Sequence, residues 1–529
     1  MTGPEAAQGL ARGIHVAATM SIFGSALFQA LVAPPAPVAG RGASVLQRRL
    51  DLLGWTALAA AAVAAVAWLG FQAVSFADGD SIGDILAAVP LILLDTHWGP
   101  LIAARFALLV PACLILGGVL PRGRLTLAAA AMLGLLALEL QVFLGHGISM
   151  QGGARVLLVA SELLHILAAG AWLGGLLPLL LLVAERAPEH SAAAVWRFST
   201  VGVVCVAALV LTSLVQFWML VGGLPGLIGT DYGRLALAKL CLFLSLLLLA
   251  ALNRFRLRPR LAGADGAIAR RHLLRSIVAE STLGLGILAL AGMLLMLAPS
   301  IHQQPEWPFA VALDLSGPGG PRLVPAHPTS FYRSPTGFTA ASIAHGEKLF
   351  AASCAICHGI ADRQAATAAR RSDGDLFWLL RNGDDRPGGM PGFGDKLGDG
   401  DLWAVIDFLK ARDIMRRGLA ALPAAPDLPV VVNGKTMPLS RLHGQVIRLV
   451  AIENGARLAP LPGVMNLSID PATDGWTAYA TVVGVDAPAL RHFSFQIDAQ
   501  SRLRAIFPPA ADGMPDDKAF AAALTSAPK

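Results

Sequence analysis

The chain has 529 residues, 55% of them hydrophobic and 14% charged, with a net charge of +6 and a mean hydropathy of +0.61. Soluble domains carry about a quarter charged residues, and a single domain seldom reaches this length, so one soluble globular domain is excluded. The positive charge sits in a few short arginine clusters, a pattern of membrane orientation rather than nucleic-acid binding.

Crossing a bilayer takes about 20 apolar residues. Eight stretches qualify: 13–33, 52–73, 98–119, 125–145, 156–183, 198–221, 234–253 and 273–298. Residues 1–12 hold one arginine and no evident cleavage site, so the first stretch is expected to remain as a helix. Segments 34–51, 120–124, 184–197 and 254–275 carry the arginines, seven of them between Arg254 and Arg275. The alternate loops are nearly free of cations, and 74–97 carries Asp78, Asp80, Asp84 and Asp95. Lysine- and arginine-rich loops stay in the cytoplasm, which puts both termini in the periplasm of a multi-pass bacterial inner-membrane protein.

Within the spans, ionisable side chains are costly and mark function. His15 lies near the outer end of the first span, His97 at the outer start of the third and His146 at the outer end of the fourth. His165 lies about ten residues into the fifth. Glu139 and His146, and Glu162 and His165, have helical same-face spacing. Met20 and Met150 lie close to His15 and His146 in sequence. Imidazole and thioether suit copper, above all Cu(I), and a carboxylate can orient an imidazole. The plainer alternative is a histidine that merely bonds a neighbouring helix. Cys113, Cys205 and Cys241 stand singly in apolar stretches and are expected to be small buried hydrophobes.

Residues 299–335 are rich in Pro, Gly and Ser and are expected to form a periplasmic linker with little structure of its own. Then comes AASCAICHGI, residues 351–360. Cys-x-x-Cys-His is the attachment pattern of heme c: two thiols form thioethers and the adjacent imidazole ligates iron. A redox dithiol would not need the histidine, and a zinc site would need two more ligands nearby, where the chain has no second cysteine pair. GEKLFAAS (346–353) reads as a helix entering the motif and DLWAVIDFLKA (401–411) as an amphipathic terminal helix. GGMPGFG (388–394) offers Met390 in a loop, with Met415 as rival beyond the last helix. This order, over 336–415, resembles a small class I cytochrome c. The resemblance implies thioethers at Cys354 and Cys357, with His358 and Met390 as axial ligands of a heme that exchanges electrons with a periplasmic partner protein.

LHILAAGAWLGGLLPL (164–179), TDYGRLALAKL (230–240), RFSTVG (197–202), LNRFRLRP (252–259) and DTHWGPLIAARF (95–106) resemble signature segments of the copper-resistance D family. That resemblance covers residues 10–298 and implies copper handling, by movement across the inner membrane or by tolerance. SFYRSPTGFTAASIAHGEKLF (330–350) is similar to the junction of family members fused to a cytochrome c.

Beyond this, LPVVVNG, QVIRLVAIE, TAYATVVGV and FSFQIDA read as strands of an independent small domain, 425–529. GKTMPLSRLHGQVIRLVAI and FSFQIDAQSRLRAIF resemble parts of a thioredoxin-like domain, without its dithiol, since no cysteine follows Cys357. His443 and His492 fit surface positions.

The expected fold class is therefore mainly α: a membrane helix bundle, a small all-α cytochrome domain and a small α/β domain. The leading functional expectation is a copper-handling membrane protein with a c-type heme, a transporter or electron carrier more than a catalyst with its own substrate. Its partners would be copper ions, the lipid bilayer and a redox protein. The alternative is a quinol-oxidising cytochrome with b-type heme held by the same histidines. A bare membrane anchor would not explain Glu139, Glu162, His165 and Lys239 inside the spans.

Overall fold

A computed structural model describes residues 3–32, 45–77, 79, 81–145, 152–185, 188–263, 265–314, 320–359, 361–368, 370–384, 389–419, 422–452 and 458–526. The chain divides into two compact units, Met1–Gln303 and Gln304–Lys529.

The first unit is helical. In chain order it comprises α1 (Gly3–Leu27), α2 (Val45–Phe76), α3 (Ile82–Asp95), α4 (Trp98–Leu116), α5 (Arg124–Glu139), α6 (Gly152–Glu185), α7 (Pro188–Gln216), α8 (Leu224–Gly229), α9 (Asp231–Leu252) and α10 (Gly266–Leu294). Among the described residues eight helices are long and apolar enough to cross a membrane, one for each expected stretch. Helices satisfy every backbone N–H and C=O internally, which hydrocarbon demands. α3 and α8 are short extra helices. The acidic segment forms α3, where the Ser81 hydroxyl accepts from Asp84 N–H at 3.1 Å as an N-cap.

α1 is the most buried span and packs against α2, α5, α6 and α10. The arginine-bearing loops gather at one end of the bundle. Arg49 pairs with Glu185 at 2.6 Å and Arg122 with Asp51 at 2.5 Å. Arg270 donates to the carbonyls of Val183 and Ala184, and Arg254 to the Ser199 hydroxyl at 2.9 Å. Cys113 and Cys205 are buried as expected; Cys241 is exposed, because it lies on the little-covered α9, whose outer face the bundle leaves open.

The second unit opens with a hairpin, β1 (Val311–Asp314) and β2 (Arg322–Pro325), where the composition had suggested a structureless tether. Trp307 anchors this segment, packed edge-on against Phe309 and Phe331 at 5.4 and 4.8 Å. Five helices follow: α11 (Ala340–Leu349), α12 (Ala355–His358), α13 (Asp362–Ala368), α14 (Asp373–Asn382) and α15 (Asp399–Arg417). α11 crosses α15 at Gly346, where an added Cβ would lie 1.9 Å from the Ala404 carbonyl oxygen, so only glycine permits this approach. Phe377 stacks on Trp403 at 4.5 Å in the core between α14 and α15. Met415, expected beyond the last helix, lies within α15, which runs six residues further than the apolar pattern because Arg416 and Arg417 bond back to the buried Asp413.

Buried Asp407 on α15 accepts from Ser342 at 2.7 Å, from Ser334 at 3.4 Å and from Thr336. Burial pushes its carboxyl above the ordinary range against the pull of these hydroxyls. Asp407→Ala strands three hydroxyls at once, so a loss of roughly 2–4 kcal/mol in denaturant unfolding is expected.

The last region holds a hairpin, β3 (Pro429–Val432) with β4 (Lys435–Pro438), and then β5 (Val446–Ala451), β6 (Val464–Ile469), α16 (Asp474–Val483), β7 (Ser494–Ile497), β8 (Leu503–Phe507) and α17 (Asp517–Ser526). The sheet order is β6-β5-β7-β8, with β5 parallel to β6 and the other pairs antiparallel. TAYATVVGV, expected as a strand, lies in helix α16 and its cap. A short apolar run fits either periodicity, and here Asp474 in the first turn and Gly484 in a left-handed C-cap select the helix. This region does not pack independently: Ala340 and Ile343 of α11 and Ala411 and Ile414 of α15 share its core.

Candidate functional site

In the first unit the structure holds two of the four histidines by one ring nitrogen each. His15 is fully buried on α1, its Nδ1 2.8 Å from the Ala61 carbonyl oxygen of α2. A carbonyl only accepts, so Nδ1 carries the proton and Nε2 keeps its lone pair. That Nε2 is buried and unpartnered. The imidazole is walled edge-on by Trp68 at 6.2 Å and Phe106 at 6.0 Å. His165, half-buried on α6, has Nδ1 2.9 Å from the Thr212 hydroxyl of α7. Thr212 already donates to the Ala208 carbonyl at 2.8 Å, so here too Nδ1 is the donor and Nε2 the free lone pair. Metal-binding imidazoles are oriented in this way, by an acceptor on the other nitrogen.

The other two are placed differently. His97 is exposed and caps the start of α4 without a side-chain cap bond. His146 and Met150 lie outside the described residues. α5 gives way to a 3-10 turn over Leu140–Leu144, so the helical face expected to join Glu139 with His146 is interrupted. Glu162 and His165 both lie on α6, and the Glu162 carboxylate is beside Gly145. Met20 is buried on α1. Among the described residues no three His, Cys, Asp or Glu side chains gather closely enough to hold a metal ion.

Sequence reasoning missed two arginines in this neighbourhood. Arg12 and Arg105 are both buried, and Arg105 donates to Gln141 Oε1 at 2.5 Å. The reading had assigned function to histidine and orientation to arginine. The signal available was Arg105 in the middle of an apolar stretch.

In the second unit, Cys354 lies at the end of a π turn (Phe350–Cys354) that leads from α11 into α12, and Cys357 and His358 complete α12. Both thiols are free; Cys354 is buried and Cys357 exposed. Burial, and then the neighbouring Cys357, push the Cys354 thiol up. Redox-active dithiols need the opposite shift, towards thiolate. His358 is exposed, with Nδ1 2.8 Å from the Gln364 amide, and Ile356 inside the motif is 86% exposed. An apolar side chain so bare beside two free thiols and an open imidazole fits an apolar group seated over α12.

Met390 sits in the glycine-rich loop after α14. Its carbonyl accepts from Asp384 N–H at 2.8 Å, Pro391 pairs with Gly383, and Phe393 N–H donates to the Leu380 carbonyl at 2.9 Å. The loop is thus folded back onto the end of α14. These residues fit a c-type heme by donor set: two unpaired thiols, one imidazole and one thioether. His443 and His492 lie at the surface of the last region, His443 near Ser501 at 3.3 Å and His492 on the Gly513 carbonyl.

Comparison with known proteins bears on the family rather than on individual site residues. Residues 192–294 match copper resistance protein D, residues 3–156 the copper resistance protein D-like N-terminal domain, and residues 341–409 cytochrome c oxidase, cbb3-type, subunit III. Copper resistance protein D of Pseudomonas syringae pv. tomato is 31% identical over 226 residues, covering 40% of this chain and 73% of that protein. Inner membrane protein YebZ of Escherichia coli (strain K12) is 29% identical over 253 residues, 47% of this chain and 84% of that protein. Copper transport protein CutJ of Bacillus subtilis (strain 168) is 26% identical over 173 residues, 32% of this chain and 30% of that protein. No solved structure matches the chain. With both parts of the bundle matched, and most of the Pseudomonas protein's length aligned, the chain belongs to the copper resistance protein D family and carries a cytochrome c-type domain after its membrane helices.

Proposed function

We propose that the chain handles copper at the bacterial inner membrane, in transport or tolerance, and couples this to electron transfer through a covalently attached heme c. The carrying observation is the pair His15 and His165, each with Nδ1 spent on a neighbouring helix so that Nε2 carries the lone pair, which at His15 is buried without a partner. A buried acceptor without a partner is costly, and a bound metal ion would offset that cost at His15. His97, at the start of α4, and His146, outside the described residues, complete the candidate copper set. The copper names of the Pseudomonas and Bacillus relatives support the cargo.

Cys354 and Cys357 would hold the porphyrin, with His358 and Met390 on the iron; the group supplies one-electron chemistry when bound. Gln364 Nε2 lies 2.8 Å from His358 Nδ1, and turning the amide over would bring its oxygen, buried without a partner, to accept from Nδ1–H and leave the imidazole Nε2 for the iron. The arginine-lined end of the bundle supports a cytoplasmic face there, with both termini and the heme in the periplasm, where a redox protein would meet it. In the last region, the strand order β6-β5-β7-β8 with one parallel pair supports a thioredoxin-like module, used for docking since it has no dithiol.

The test is metal analysis of the purified full chain with its heme spectrum. Wild type is expected to bind copper and to show one c-type heme by pyridine hemochrome. His165→Ala should lose copper at least tenfold, since an oriented ligand is removed, while keeping the heme. Unchanged copper binding would sink the ligand assignment, and a b-type signal would favour quinol oxidation.

A further inference from the structure

Around α1 the bundle encloses positive charge without a counter-charge. Arg12 and Arg105 are 4% and 0% exposed, both within spans. Among the described residues, neither lies within ion-pair distance of a carboxylate. Arg105 is held by two neutral oxygens, Gln141 Oε1 at 2.5 Å and Thr19 Oγ1 at 3.4 Å. Arg12 donates to the Leu144 carbonyl at 2.7 Å and lies over the Trp68 ring, 5.1 Å from its centroid. Gln141 and Leu144 belong to the same 3-10 turn, so the two guanidiniums are drawn to one place. Glu139, which ends α5 just before that turn, pairs with neither, and one of its oxygens is buried without a partner.

The same neighbourhood holds four buried N–H donors with no acceptor: Arg12 Nε, Arg105 Nε, Gln141 Nε2 and Trp98 Nε1, the last on a ring 5.6 Å from Trp68. Against them stand two buried acceptors without a partner, His15 Nε2 and Glu139 Oε2. An uncompensated guanidinium in a span costs several kcal/mol, and each unpaired buried donor adds to it. A bound anion removes both costs together.

We propose that Arg12, Arg105, Gln141 and Trp98 form a binding site for a small monovalent anion of the halide class. The donor geometry selects the class. Oxyanions are held by paired N–H groups of one guanidinium. Here each fork is already engaged, Nη2 of Arg12 with Leu144 and both Nη nitrogens of Arg105 with Thr19 and Gln141, so the donor buried without a partner on each arginine is Nε. These Nε groups, with Gln141 Nε2 and Trp98 Nε1, lie on four separate side chains, which suits a small spherical ion better than a bidentate oxyanion. The proposal does not depend on the copper reading, since none of its four donors is a candidate copper ligand.

The experiment follows thermal loss of helicity in the full chain, in zwitterionic nanodiscs at constant ionic strength, as sodium gluconate is replaced by chloride or bromide. A ligand well above its Kd stabilises by mass action, so a saturable rise of about 5 °C is expected with either halide and none with gluconate. Arg105→Gln should abolish the rise. Because that variant could fail to assemble, crystals of the wild-type protein in bromide give a second reading: an anomalous peak between Arg12, Arg105 and Gln141. Identical melts in all three salts with no bromide peak would overturn the site. Stabilisation by added phosphatidylglycerol in the absence of any halide effect would overturn the choice of ion.

Discussion

Replacing Cys354 and Cys357 together by serine will leave a full-length chain in the membrane fraction with no covalent porphyrin, read as loss of the heme-staining band after denaturing electrophoresis. Serine is close in size, so packing changes little. Cys357 is exposed, and Cys354 is buried in a core that keeps Phe350, Phe377, Leu402, Trp403, Ile406 and Phe408. What disappears is the chemistry, because a hydroxyl cannot form the thioether. The single change Cys357→Ser should retain one covalent link and some of the stain. Retention of full staining in the double variant would remove the heme reading altogether. A band lost together with the membrane protein itself would point to misfolding instead, which quantitation of the chain in the same fraction distinguishes.

The parts legible in the sequence are those where physics allows few alternatives. Hydrocarbon permits only satisfied backbone, so eight apolar stretches could be little other than eight helices. Cys354, Cys357 and His358 are adjacent along the chain, so their spacing could be read directly. What stayed hidden depends on contacts between distant segments. Nothing local to His165 announces Thr212, 47 residues away, or ties His15 to the Ala61 carbonyl. Arg12 and Arg105 escaped for the same reason: each looks like an ordinary basic residue until the packing shows the lack of a carboxylate partner among the described residues. α16 was misread because nine residues of Ala, Thr, Val, Tyr and Gly satisfy both a strand and a helix pattern, and only its caps decide. The hairpin of β1 and β2 was missed because it depends on Trp307 finding Phe331, a contact that composition does not encode.

The segment LHILAAGAWLGGLLPL carries the family resemblance, and the packing gives its glycines a structural purpose that predicts the largest stability effect. α1 and α6 cross at Gly24 and Gly174. A Cβ added to Gly174 would lie 2.0 Å from the Met20 carbonyl oxygen, and one added to Gly24 would lie 2.2 Å from Gly174 backbone carbon. No rotamer relieves these overlaps, because both partners are backbone. Small residues at such crossings are what let helices associate in lipid, where no hydrophobic force drives them together. Gly174→Leu must therefore push α6 away from α1, the most buried helix of the bundle, which carries Arg12, His15 and Thr19. Overpacking of a close core costs about 1–3 kcal/mol where side chains can give way, and more where only backbone is available. The expected result is a chain that fails to accumulate in the membrane, measured against wild type by quantitative blotting. Gly174→Ala should give a partial loss and Leu177→Ala, on the exposed side of the same helix, close to none. Normal accumulation of Gly174→Leu would mean that α1 and α6 do not cross here, and with that the arrangement around His15 would have to be redrawn.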